Sequence, residues 1–146
     1  MKTITVSTDL PVAIDDAFAW LSDPENDPAW CGPVQFTELE DGQPRTVGAT
    51  YRFAEGLGRQ VALGTVEILE LDPPRRMVTR TRTSQRDYTV IYELESTADG
   101  CRLTQMSEAS FRGVPGPLMR PFLPLIRWQL KRQFRALRAV LSEDNG

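Results

Sequence analysis

A chain of 146 residues, 40% hydrophobic and 25% charged, is long enough for one domain around one core and has the composition of a globular protein. Its net charge of −3 argues against a nucleic-acid partner, and it holds no histidine, which excludes Ser-His-Asp and Cys-His catalysis and most zinc and non-haem iron sites. No apolar run reaches the ~18 residues of a transmembrane helix, and the alternating start MKTITVSTDL lacks the apolar stretch of a secretory signal, so a cytoplasmic protein is expected.

Lys2 to Thr8 alternates Ile4 and Val6 against Thr3, Thr5 and Ser7, which predicts a half-buried strand. Ile14 to Ser22 follows as a helix: Asp15 and Asp16 suit its first turn, Ile14, Phe18 and Leu21 share one face, and Asp23-Pro24 stops it. Pro24 to Trp30 reads as a second short helix with Asp23 as N-cap. Strands are then expected at Val34–Glu40, around Ala49–Phe53, at Val61–Leu71, Arg76–Thr83, Tyr88–Leu94 and Leu103–Phe111. Turns fall at EDGQPR, EGLGR, Asp72-Pro73-Pro74 and TADGC, the last a hairpin with Asp99-Gly100 at its tip. The apolar phase of the long strand switches between Ile68 and Leu69, which predicts a bulge or bend. About seven strands joined by short turns make an antiparallel sheet.

The last element is a helix from near Leu118 to about Ser142, roughly 37 Å long. At helical spacing Met119, Phe122, Leu123, Ile126, Leu130, Phe134, Leu137, Val140 and Leu141 share one face, and Arg120, Arg127, Lys131, Arg135 and Arg138 the other. Pro121 and Pro124 project with the basic face and predict a bend toward the apolar side, over the sheet. Charge is divided along the chain: nine acidic and no basic residues from Asp9 to Asp41, seven basic and no acidic ones from Arg112 to Arg138. The two blocks are expected to attract each other as two faces of the fold; a charged partner is the alternative.

The order strand, two short helices, six strands and long C-terminal helix resembles the START-like superfamily, in its polyketide cyclase/dehydrase and lipid-transport branch. AFAWLSDPENDPAW is similar to that family's helix-turn-helix segment, with Phe18 five positions before Asp23 and Trp30 shortly after. VGATYRF, VEILELDPPRRMV and GCRLTQ resemble its third, fourth-to-fifth and seventh strands. The resemblance spans nearly the whole chain and implies one START-like ligand-binding domain over residues 1–146, of class α+β. Its helix-grip fold is a curved seven-stranded antiparallel sheet wrapped around the long helix, with the two short helices after strand 1 and a cavity between sheet and helix. Members bind lipids, sterols, polyketides or other hydrophobic molecules, and a minority catalyse reactions on them.

Candidate cavity-lining residues are Tyr51, Phe53, Met77, Tyr88, Val90, Tyr92, Leu103, Gln105, Ser107, Met119, Phe122, Leu123, Ile126 and Leu130; each is either plain core or ligand contact. Chemistry without histidine would rest on Asp, Glu, Tyr or Arg. Tyr88 or Tyr92 with Glu93 or Glu108 is conceivable, but Glu93 points to the other strand face, and no residue is assigned as catalytic. Arg76, Arg80 and Arg82 share a face read as solvated or paired with Glu67 and Glu70, an inward arginine for a ligand carboxylate being the alternative. Trp128 sits off the apolar face; packing under the N-terminal helices is favoured over stacking on Arg132 or a dimer or membrane contact. Cys31 and Cys101 form no CxxC and are read as reduced thiols, and EGLGR is a turn and no phosphate loop. No cofactor and no metal is expected. Arginine outnumbers lysine 15 to 2, which is compatible with a bacterial source. Three functions stay open: a binder of a small hydrophobic molecule, which is favoured; a polyketide cyclase or dehydratase acting in the cavity; and an interaction protein using the basic helix face, as monomer or homodimer.

Overall fold

The computed structural model describes residues 2–31, 34–57, 60–84, 86–111 and 123–144. Strand β1 (Lys2–Leu10) leads to helix α1 (Ile14–Leu21) and a short 3-10 helix (Pro24–Ala29). Six strands follow: β2 (Val34–Asp41), β3 (Thr50–Leu57), β4 (Gln60–Asp72), β5 (Arg76–Thr83), β6 (Arg86–Thr97) and β7 (Gly100–Phe111). Helix α2 (Leu123–Asp144) ends the described chain. All neighbours in the order β1-β7-β6-β5-β4-β3-β2 are antiparallel, so β1 crosses to the far edge to pair with the last strand. The expected elements are all present. The first part of the expected long helix, Leu118 to Phe122, lies outside the described residues, Pro121 included.

Local chemistry accounts for the turns. Burial of Ala17, Phe18 and Leu21 gives α1 its inner face. The Asp23 carboxylate accepts a hydrogen bond from the Glu25 N–H at 3.1 Å and caps the 3-10 helix, whose first residue is Pro24. The Glu25 side chain in turn accepts from Leu39 N on β2 at 3.3 Å, tying that helix to an edge strand. In β4 the register against β5 shifts between Ile68 and Glu70; Ile68 is fully buried and Leu69 is turned outward. This is the bend that the phase switch predicts. At the last hairpin Thr97 pairs with Gly100, so the loop is Ala98-Asp99 and Gly100, with φ of +156°, opens β7. The tip is thus one position earlier than the expected Asp99-Gly100, and Gly100 is required where it stands because a Cβ there would lie 2.1 Å from the Leu10 carbonyl oxygen.

The buried side chains form two clusters. The larger joins β1, α1, β7 and α2 through Ile4, Val6, Phe18, Leu21, Leu103, Phe134, Leu137 and Leu141. The smaller joins β3 and β4 through Ala49, Tyr51, Phe53, Val66 and Ile68. Helix α2 packs chiefly against β1 and the 3-10 helix, where Trp30 stacks on Phe134 with ring centroids 6.4 Å apart. It grips one side of the sheet more than its whole width, and the concave face of the middle strands is left less covered. Curvature shows in one contact: Glu55 on β3 forms an ion pair with Arg86 on β6, although two strands separate them. On a flat sheet three strand spacings would set them roughly 14 Å apart.

Among the described residues no ion pair joins the acidic block to the basic one, of which Arg112 and Arg120 lie outside those residues. Glu38 pairs with Arg52 and Asp9 with Arg102, both on strands, and no described ion pair reaches α2. On β5 Arg76 holds Glu70 and Glu93, and Arg80 holds Asp87, an outward-facing network as the alternation implies. Trp128 departs from expectation: it is 55% exposed, and Arg132 lies over its ring at 5.6 Å.

Gly64 on β4 holds Phe53 of β3 in place. A Cβ at Gly64 would meet the Arg82 carbonyl oxygen at 2.6 Å and the Phe53 ring at 2.7 Å, and the carbonyl cannot yield without moving β5. Gly64→Ala is expected to lower stability by about 1–3 kcal/mol in urea melts, an overpacking cost; an unchanged midpoint would show that the strands separate freely.

Candidate functional site

Between sheet, 3-10 helix and α2 lies a cavity of about 500 Å³ whose walls draw on both clusters. Strand alternation builds its floor: Met77, Thr79 and Thr81 on β5, Tyr88, Val90 and Tyr92 on β6, Gln105 and Ser107 on β7. Ile126, Gln129, Leu130 and Gln133 reach it from α2 at the spacing of one helix face. Asp27, Trp30 and Cys31 enter from the end of the 3-10 helix, and Phe53, Glu55 and Val66 close the β3–β4 side.

Of the residues singled out from the sequence, Phe53, Met77, Tyr88, Val90, Tyr92, Gln105, Ser107, Ile126 and Leu130 line this cavity. Tyr51 and Leu103 are fully buried in the smaller and larger cluster respectively and do not. The Tyr51 hydroxyl accepts a hydrogen bond from Arg45 N at 3.1 Å, which explains how a tyrosine is satisfied there without a ligand. Met119 and Phe122 lie outside the described residues, as does the side chain of Leu123.

Sequence reasoning found Tyr88, Tyr92, Gln105 and Ser107 but missed the acidic and basic groups of the lining, Asp27, Glu55 and Arg86. Glu55 is buried and Arg86 neutralises it, the Arg86 guanidinium also lying 5.7 Å above the Tyr88 ring. Nothing in the sequence links residues 31 positions apart on non-adjacent strands. Asp27 is the more consequential omission. It is half-buried at the cavity wall, and the loss of solvent around it, helped by the neighbouring Asp23 charge, raises its pKa from 3.8 to about 8. The Trp30 indole N–H lies close enough to oppose that shift weakly, but forms no hydrogen bond of good geometry. At neutral pH Asp27 is therefore mainly a neutral carboxylic acid, able to donate a hydrogen bond. A signal was available: Asp27, Trp30 and Cys31 stand at i, i+3 and i+4, so one turn carries all three.

Burial, then Asp27, holds the Cys31 thiol well above its usual range. Tyr92 is likewise pushed well up by burial and then Asp27, and Tyr88 is raised by burial against the opposing pull of Arg86. Both tyrosines and the thiol are thus neutral donors at physiological pH. Gln105 Nε2 donates to Ser107 Oγ at 3.2 Å, and its Oε1 has no partner among the described residues. The cavity is consequently mainly apolar, with a few uncharged hydrogen-bonding groups and one ion pair, Glu55–Arg86, in its wall. Among the described residues no cluster of metal-ligating side chains comes together.

Because Asp27 holds its proton more tightly folded than unfolded, the folded state binds the extra proton between about pH 4 and pH 8. Stability is then highest below the unfolded pKa and is lost as pH rises through the folded one. Urea melts from about pH 5 to about pH 9 should show a loss on the order of 2–4 kcal/mol, and Asp27→Asn should flatten that slope. An equal slope in the variant would assign the titration to another group.

Residues 1–142 match the family described as polyketide cyclase/dehydrase and lipid transport. Two uncharacterized mycobacterial proteins, Rv2574 of Mycobacterium tuberculosis and Mb2604 of Mycobacterium bovis, are each 29% identical over 136 residues, 90% of this chain and 80% of theirs. Among solved structures, TTHA0849 from Thermus thermophilus superposes with a TM-score of 0.78 at 12% identity, covering 99% of this chain and 100% of that one. Ara h 8.0201 does so with a TM-score of 0.73 at 12% identity, covering 97% and 98%. These structures share the helix-grip fold, a curved antiparallel sheet with a long C-terminal helix. Sequence match and fold coincide over almost the whole length, and the chain belongs to the polyketide cyclase/dehydrase and lipid transport family.

Proposed function

We propose that the protein binds one small hydrophobic molecule, a lipid, polyketide or aromatic metabolite, in the cavity between sheet and α2. The carrying observation is the cavity itself: about 500 Å³, walled by Phe53, Val66, Met77, Val90, Ile126 and Leu130, with neutral polar groups at intervals. That size and lining suit a small ligand oriented by a few hydrogen bonds. Family membership supports the same reading.

The test fills the space. Val90 lies mid-strand on the cavity wall. Val90→Trp is expected to weaken binding of the neutral fluorescent probe N-phenyl-1-naphthylamine by at least about tenfold while the melting temperature changes little, because the ring enters open volume. In a close-packed core the same change would cost about 1–3 kcal/mol or more. Strong destabilisation, with no probe binding by the parent protein, would overturn the reading.

A second reading, an enzyme of the cyclase or dehydratase type, has one observation in its favour. A carboxyl group that keeps its proton near neutral pH faces a hydrophobic cavity beside two tyrosines, an arrangement suited to general-acid assistance at a ligand carbonyl. Once a substrate is in hand, Asp27→Asn should remove turnover and keep binding if this holds; retained turnover would leave the cavity a binding site alone.

A further inference from the structure

Helix α2 has an outer side that the cavity does not use. Leu137 is fully buried, and Trp128, about two and a half turns earlier, points the opposite way and is 55% exposed. Arg132 and Arg135 continue that outer side toward the C-terminus, Lys131 lies beside them, and Arg127 and Arg138 border it; all are exposed. Between Arg127 and Arg138 there is no acidic residue, and no described ion pair neutralises any of the five cations. The chain as a whole is nevertheless acidic, at −3, so this run of cations without an acidic neighbour contrasts in sign with the protein's net charge.

An indole at the centre of a cationic helix face matches a particular surface. Tryptophan favours the level of lipid headgroups, where its ring is half in hydrocarbon and its N–H stays hydrated, and flanking Lys and Arg meet anionic headgroups. The inner side of the same helix contributes Ile126 and Leu130 to the cavity, so a bilayer held against α2 would lie one helix diameter from it. We propose that the outer face of α2 docks reversibly on an anionic lipid bilayer, with Trp128 at the interface and the five cations against the headgroups.

Co-sedimentation with vesicles tests this on the intact chain. Vesicles of phosphatidylcholine with about 30% phosphatidylglycerol should bind the protein, pure phosphatidylcholine vesicles should not, and raising salt from about 0.1 M to about 0.5 M should release it. Lys131→Gln with Arg135→Gln should weaken binding by about fivefold per charge removed, and Trp128→Ser by a similar factor. Arg52→Gln, a cation on the sheet, should leave binding unchanged. None of these exposed positions supports the core, and unaltered melting temperatures confirm that folding is intact. Absence of vesicle binding, binding indifferent to salt, or equal binding by the helix variants overturns the proposal. So does tight binding of a single-stranded RNA homopolymer without vesicle binding, which would assign the face to nucleic acid. Probe binding in the cavity is measured separately, so either reading can fail alone.

Discussion

The seating of α2 governs the rest of the molecule. Phe134, Leu137 and Leu141 fix it against β1 and the 3-10 helix, and the Trp30–Phe134 stack locks the two helices together. A helix held at one side of a curved sheet cannot also fill the hollow of the middle strands. Cluster formation therefore splits in two, and the space left between them is the cavity. The bulge after Ile68 and the Glu55–Arg86 pair belong to the same constraint, one bending the sheet and the other joining strands that the bend brings near.

That geometry also explains the electrostatics. A mostly apolar hollow is a poor medium for charge, and each ionisable group in it meets this differently. Glu55 and Arg86 neutralise each other. Asp27 has no cation to pair with among its described neighbours, so it takes up a proton instead. The outcome is a cavity in which Asp27, Cys31, Tyr88 and Tyr92 all present neutral hydrogen-bonding groups near pH 7. Such a lining orients oxygen-bearing molecules while its apolar walls supply the affinity. Apart from the Glu55–Arg86 pair, charge is carried outside the cavity, on the sheet networks of Arg76 and Arg80 and on the outer side of α2.

Much of this was legible along the chain. Alternation fixed which side chains of β5, β6 and β7 share a face, and the apolar run of α2 at helical spacing fixed its inner side. Both are local properties: backbone geometry sets the period, and burial selects the apolar phase. Even the bend in β4 was readable, since a bulge must shift the phase of everything after it. Chain order and the quoted motifs carried the family and with it the fold.

Tertiary structure alone decided three things. Tyr51 and Leu103 share the inward phase of the cavity-facing residues, yet they are packed core, because phase says which face a side chain takes and not what fills the space above it. Asp27 and the Glu55–Arg86 pair depend on enclosure and curvature, which arise from contacts between segments distant in sequence. Trp128 was expected beneath the N-terminal helices and stands in the open, because the 3-10 helix meets another side of α2, where Trp30 stacks on Phe134. Periodicity assigns a residue to one side of its own element. Only the placement of the other elements determines whether that side meets core, cavity or solvent.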